Sequence, residues 1–276
     1  MLNIKLKKAH FRRFTGDFCD ISTSTTDMEK LFSEQVGRHI HDSLEDIGNI
    51  DIHSHHLCST IIDIPFGSKV LDWQRIQSQI AEQTSFAPQS FLNAYECAGW
   101  GYSLRHALRN QKETHNILIT VVDLNLLNLD YWLANSNWGD SGFGIITLLL
   151  ECDPESINDL NVGSALSSNA VAEFTIQMRN ENDKRENTKL AHPYFPKNVT
   201  DLFYKLVPKA DFLPDWHSEF GHCFGADPWI SLIKSHQQNP SVQSYIAGSI
   251  ALNGYWALAH VSTTEETTVH LSEATL

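Results

Sequence analysis

Two groups of residues in this sequence could do chemistry. The first centres on Cys97, which follows the apolar stretch Phe91-Leu92-Asn93-Ala94-Tyr95-Glu96 and stands directly before a helical pattern. A thiol at a strand-to-helix junction faces free N–H groups and the positive end of the helix dipole, which favour the thiolate. The thiolate is the form that attacks thioesters. The second group is Asp51-Ile52-His53-Ser54-His55-His56. A strand carrying His-x-His sets two imidazoles on one face, an arrangement that can hold a metal ion. Further ligands would have to come from later residues such as His106, His115, His192, His217, His222 or His236 and a late aspartate. Asp140, in Gly-Asp-Ser-Gly, reads as a turn residue bonding its own backbone. Asp227-Pro228 reads as a helix start, with the aspartate as cap and proline at the first position.

The elements that must position these groups alternate between strand and helix. Residues 2–14 read as a strand, with Leu2, Ile4 and Leu6 alternating against Asn3, Lys5 and Lys7. Ser22 to Asp27 reads as a polar loop, and Thr26 or Asp27 caps a helix running to about Asp46, with Gly48 ending it. Strands follow at 50–60 and 90–95, with a helix over 73–84 between them and another over 97–110. Residues 116–124 and 143–151 read as strands. Periodicity leaves 159–180 open between strand and helix. The run Asn180 to Asn187 is almost wholly polar and reads as an exposed loop. Helices at 197–207 and 224–238 and strands at 243–251 and 255–262 complete the pattern, and the Thr/Glu-rich end from Ser262 reads as a frayed tail. Such alternation predicts an α/β fold.

Composition narrows the class. The chain has 276 residues, 42% of them hydrophobic and 19% charged, as in a soluble globular protein. No apolar run is long enough to span a bilayer, and the N-terminal residues lack the apolar core of a signal peptide. Five scattered cysteines (Cys19, Cys58, Cys97, Cys152 and Cys223) without a CxxC pair suit free thiols in a reducing cytoplasm. A formal charge of −13 argues against nucleic acid as the main partner. Two local basic clusters stand out against it, Lys5/Lys7/Lys8/Arg12/Arg13 and Arg105/Arg109/Lys112.

The motif Phe-Leu-Asn-Ala-x-x-Cys-Ala-Gly-x-x-x-x-Leu resembles the nucleophile segment of the β-ketoacyl-ACP synthase III family, within the thiolase-like superfamily. Later segments follow in that family's order: Asn116–Leu124 as a core strand, Trp138-Gly139-Asp140-Ser141-Gly142-Phe143-Gly144 as a glycine-rich turn, and Lys189-Leu190-Ala191-His192-Pro193 as a strand ending in histidine. Phe220-Gly221-His222-Cys223-Phe224-Gly225 resembles the family's Tyr-Gly-Asn loop, and Ile250 to Ala257 its C-terminal glycine-rich turn. The resemblance spans about residues 25 to 262. It implies a layered αβαβα architecture of two similar halves, residues 1–141 and 142–262, with 263–276 as a tail. It implies Cys97 as nucleophile, His192 as base or donor, His222 where the family has asparagine, and an oxyanion hole from the N–H groups of Cys97 and Gly254. No metal and no cofactor is expected. Partners would be acyl-CoA or acyl carrier protein thioesters, and a homodimer or a heterodimer with a ketosynthase-like chain, formed through the strand before the nucleophile.

The chain is short for that family, and its glycine-rich turns are eroded to Gly-Asp-Ser-Gly and Leu-Asn-Gly. These departures point to acyl transfer or condensation in a specialised pathway, such as polyketide or other secondary-metabolite assembly. One alternative is a non-catalytic or assisting subunit of a heteromeric ketosynthase. A further alternative is a metal-dependent hydrolase using His53 and His55, since Asp-Ile-His-Ser-His resembles the opening of amidohydrolase barrels.

Overall fold

Strand β1 (Ile4–Thr15) lies inside an eleven-stranded sheet, and its neighbours set the architecture. The computed structural model describes residues 4–15, 25–48, 50–62, 71–109 and 111–275. β1 pairs antiparallel with β7 (Phe143–Cys152), and β7 pairs antiparallel with β4 (His115–Asp123). β2 (Ile52–Cys58) joins β4 in parallel, and β3 (Ser90–Leu92) joins β2 at the sheet edge. On the other side of β1 come β12 (Tyr255–Thr263), β11 (Gln243–Ile250), β9 (Thr188–Ala191) and β10 (Asp211–Phe212). β8 (Leu160–Ser164) pairs with β12, and β5 (Ala134–Asn135) with β6 (Gly139–Asp140) makes a separate two-stranded ribbon.

Among the described residues, six helices of nine residues or more cover the sheet: α1 (Thr25–Leu44), α2 (Trp73–Ala81), α3 (Gly99–Leu108), α4 (Ala170–Asp183), α5 (Lys197–Leu206) and α6 (Asp227–Gln238). β4, β7 and β11 are apolar along most of their length because both their faces are covered. One core joins Phe32 and Ile40 of α1 with Leu118, Leu149, Phe174 of α4 and Phe203 of α5. The other joins Trp100 and Leu104 of α3 with Trp229 and Ile233 of α6, Leu148 and Val261. Nine of the twelve residues of α6 are buried, as befits an internal helix. α3 and α6 meet where the Trp100 and Trp229 rings lie 5.0 Å apart, edge to face. Gly101 lets α3 press on β12, since a Cβ there would stand 2.3 Å from the Ala257 Cβ. The result is the layered α/β architecture anticipated from the sequence.

Three local expectations need correction. The polar run after Asn180 does not begin as a loop, because α4 continues to Asp183. Glu181 and Asn182 are buried there, and Arg185 reaches Glu181 at 2.5 Å and Asp159 at 3.4 Å, so ion pairs make a hydrophilic segment part of the packed structure. The end of the chain is not frayed. β13 (Thr268–Thr275) pairs in parallel with β1 from Lys8 to Thr15. The basic cluster on β1 is not a free patch either: Lys5 and Lys7 contact Glu151, Arg12 contacts Asp42, Arg13 contacts Glu273, and Lys8 is buried. Ser22 to Ser24 of the polar loop, and Cys19, fall outside the described residues, and the last three positions of that loop already belong to α1, which starts at Thr25.

Candidate active site

Cys97 sits in a 3₁₀ turn, Glu96–Ala98, between β3 and α3. The α-helix proper starts two residues later, so the thiol does not cap its N-terminus as the sequence suggests. It is buried, 5% exposed, on the wall of a cavity of about 350 Å³. Burial pushes its pKa well above that of an ordinary thiol, and the carboxylates of Asp123 and Glu96 push it further. The Thr60 hydroxyl, 3.7 Å from Sγ, acts the other way by donating to it. The expected depressed pKa is therefore reversed, because desolvation and two acidic neighbours outweigh one weak donor.

His222 faces Cys97 across this cavity, its Nε2 4.0 Å from Sγ. Two glycine turns place it. Its backbone N–H donates to Asp140 O (2.8 Å), and its carbonyl accepts from Gly142 N (2.9 Å). At Gly142 a Cβ would lie 1.9 Å from Phe220 O, and Gly221 has φ +73°, so neither turn tolerates a larger residue. The imidazole is boxed by Phe195 (centroids 5.4 Å apart), Phe224 (4.9 Å) and Trp138 (6.0 Å).

Behind the ring lies Asp227, completely buried. Its Oδ2 is 2.7 Å from His222 Nδ1, a close contact although not an aligned hydrogen bond. The same carboxylate accepts from Cys223 N (2.6 Å) and Tyr194 N (2.8 Å). The His222 ring thus stands between Cys97 and Asp227, one ring nitrogen towards each. Two non-glycine residues beside this site adopt positive φ, Glu96 (44°) and Phe224 (53°). Such backbone conformations cost of order 1–3 kcal/mol each and cluster at functional sites.

The structure does not bring His192 to Cys97. Its Nδ1 is 2.8 Å from Pro193 O, its Nε2 is 3.2 Å from Tyr204 Oη, and its ring packs against Phe203 and Phe212, away from the cavity wall. Phe195, three residues on, occupies the wall instead. Nor is the Gly254 N–H free for an oxyanion: it donates to Ala251 O at 2.9 Å, and φ of +86° tightens that turn. Ile250, Ala251 and Leu252 of the same turn reach the cavity, where Leu252 N donates to Glu96 Oε2 (2.9 Å).

His53 and His55 are also kept apart. A bulge between Ile52 and Ser54 breaks the alternation of β2. His53 stacks on His115 with centroids 3.7 Å apart, while His55 is buried between Phe86 O (2.5 Å) and Thr120 Oγ1 (2.9 Å). Among the described residues no three His, Cys, Asp or Glu side chains converge as a metal site.

Sequence reasoning missed Asp227 as a partner of His222 and reads it only as a helix cap. The signal was present in the five-residue spacing, which puts Asp227 one tight turn beyond the histidine. It also missed Thr60, Phe195 and Trp138, for which a single sequence holds no signal.

No family model matches the chain, and no curated protein matches it in sequence. Solved structures do match. ChlB3, an acyltransferase, aligns with a TM-score of 0.69 at 11% identity, over 94% of this chain and 97% of its own. The 3-oxoacyl-(acyl carrier protein) synthase III FabH from Pseudomonas aeruginosa PAO1 aligns with a TM-score of 0.64 at 11% identity, over 95% and 98%. The priming β-ketosynthase of the R1128 polyketide biosynthetic pathway gives 0.58 at 10% identity, over 95% and 97%. At these identities the likeness concerns the fold, and the chain has the thiolase-like fold of the ketosynthase III-type synthases.

Proposed function

We propose that this chain is an acyltransferase that carries its acyl group as a thioester on Cys97. The observation that supports this reading best is the pairing of Cys97 and His222 on the cavity wall, with His222 Nε2 4.0 Å from the thiol and Asp227 buried behind the ring. Because burial keeps the thiol neutral at rest, a base must take its proton as the donor thioester binds. His222 is the imidazole in place to do so. Sγ then attacks the donor carbonyl, the C–S bond to the donor breaks, and the leaving thiol takes the proton from His222. The Cys97 backbone N–H is the candidate oxyanion donor. The donors are acyl-CoA or acyl carrier protein thioesters, in a polyketide-like or fatty-acid-like pathway.

Intact-mass spectrometry after incubation with an acyl-CoA panel tests the reading. One acyl adduct per chain is expected, absent in Cys97→Ala. Label on Cys58, Cys152 or Cys223, or no label, sinks it. That second outcome would favour an assisting subunit, in which β3, the end strand of the sheet among the described residues, is the place where another ketosynthase-like chain would dock.

A further inference from the structure

The side chain of Thr60 bears on how the Cys97 sulfur carries charge, and this step rests on the acyltransferase reading above. Thr60 stands two residues beyond β2, is 4% exposed, lines the same cavity and turns its hydroxyl to Sγ at 3.7 Å. Backbone contacts hold it there. Thr60 N donates to Asp123 Oδ1 at the end of β4 (2.6 Å), Ser59 N donates to Leu92 O of β3 (3.2 Å), and Ile62 N donates to Ser59 Oγ (3.1 Å). The segment that carries Thr60 is thus tied both to the strand leading into Cys97 and to the strand following α3. A hydroxyl buried this deeply needs a hydrogen-bond partner, and the sulfur is the one it meets.

A threonine hydroxyl does not titrate in the working range, so it neither takes the thiol proton nor loses its own. It can donate a hydrogen bond, and such a bond strengthens when its acceptor becomes an anion. Thioester exchange makes the Cys97 sulfur anionic twice: when the S–H proton leaves, and when the C–S bond of the acyl-enzyme breaks. Each time the charge appears in a buried place, facing carboxylates of Asp123 and Glu96 that oppose it, and the Thr60 hydrogen bond works against both effects. A donor fixed in advance on the atom where charge develops costs no reorganisation at the moment of reaction.

We propose that Thr60 is a catalytic residue that stabilises the Cys97 thiolate in both halves of the acyl transfer. In the first, the S–H proton leaves, Sγ bonds to the acyl carbon of the donor, and the donor's C–S bond breaks. In the second, the acyl carbon bonds to its acceptor and the bond to Sγ breaks. The electron pair of that bond returns to the sulfur beside the Thr60 O–H, and the sulfur is then reprotonated from solvent. The hydroxyl keeps its own proton throughout.

The experiment first probes the thiol with no acyl group present. Alkylation of Cys97 by iodoacetamide is followed across pH by peptide mass mapping in the wild type, in Thr60→Val, which keeps the shape but loses the hydroxyl, and in Thr60→Ser, which keeps the hydroxyl. The rise of rate with pH should move up by about one unit in Thr60→Val, so that at a fixed pH below the midpoint alkylation is roughly 10-fold slower. Thr60→Ser should recover most of that loss. Loading from acyl-CoA, and discharge of loaded Cys97 by hydroxylamine, should each slow by a similar factor in Thr60→Val and recover in Thr60→Ser. Circular dichroism melts check that each variant is folded, and Thr60→Ala replaces the valine variant if that one is not. Failure of the wild type to load from any acyl-CoA overturns the acyltransferase reading, while the alkylation profiles still judge the hydroxyl at the thiolate. Superimposable profiles for wild type and Thr60→Val, equal slowing in the valine and serine variants, or loading that slows while discharge does not would each overturn the proposal.

Discussion

At the scale of the residue, the surroundings of Cys97 are acidic, and one of its neighbours is itself a perturbed group. Asp123 lies fully buried at the end of β4 and accepts from Thr60 N (2.6 Å) and Ser59 Oγ (3.2 Å) through Oδ1. Its Oδ2 has no well-aligned donor, although the Gly225 amide is close enough to favour the anion. Burial outweighs these donors and raises its pKa to about 6 from 3.8. The sign of the linkage follows. Below about pH 4 both folded and unfolded states hold the proton and nothing is lost. Between pH 4 and 6 the unfolded state ionises first, so a penalty grows to about 3 kcal/mol and stays above pH 6. Relative to Asp123→Asn, the wild type should lose stability from pH 4 to pH 6 and then level off. Denaturant midpoints of both proteins across pH 4–8 check this, and a pH-independent difference would refute it. At this scale the sequence was legible wherever a motif fixed both residue and place, as with Cys97 and His222. It failed at His192, because His-Pro-Tyr-Phe follows a strand end and four consecutive side chains could face the site; the fold turned Phe195 in and His192 out.

At the scale of the element, paired turns matter more than the longer segments. Gly142 and Gly221 let the turn after β6 and the loop before α6 touch backbone to backbone, and that contact holds the His222 main chain on both sides. Gly142→Ala would drive a Cβ into the Phe220 carbonyl, and backbone cannot step aside as a flexible side chain can. The expected cost is about 1–3 kcal/mol of stability, with a larger proportional loss of acyl loading because His222 shifts. Thermal melts and loading rates, measured together, test it; a variant that melts lower yet loads normally would mean the clamp does not position the imidazole. The long elements were legible because buried strands and amphipathic helices carry strong periodicity: β1, β4, β7 and α1 fall within two or three residues of the predicted spans. Elements held by polar contacts were not. The end of α4 depends on Glu181–Arg185 pairing, and β13 is anchored by β1 and by Thr267 Oγ1 donating to Leu6 O at 2.7 Å, none of which periodicity can register.

At the scale of the whole molecule, the sheet runs unbroken from β3 at one edge to β10 at the other, and it buries an unusual number of neutral imidazoles. Desolvation lowers the pKa of His10 to about 4, of His55 to about 3 and of His56 to about 4, and holds that of His39 well below 6.5. These rings bond to different elements: His10 bonds Ser43 of α1 and Ser272 of β13, His55 bonds Thr120 of β4, and His56 bonds Ser90 of β3. Protonating them therefore strains several interfaces at once. The sign is opposite to that of Asp123. Above pH 6.5 neither state carries the protons and the full stability is present. As pH falls, the unfolded chain takes up about four protons at these positions before the folded one does, while Asp123 offsets one. A net uptake of about three protons gives a slope of roughly 4 kcal/mol per pH unit, enough to exhaust a stability of about 5–15 kcal/mol within a few units. The molecule should therefore unfold steeply and cooperatively between about pH 5 and pH 4, with circular dichroism and tryptophan fluorescence changing together, and His55→Gln should move the midpoint to lower pH. A fold that persists unchanged at pH 3.5, or one whose two spectroscopic transitions separate widely, would mean that these imidazoles are not buried neutral in the folded chain.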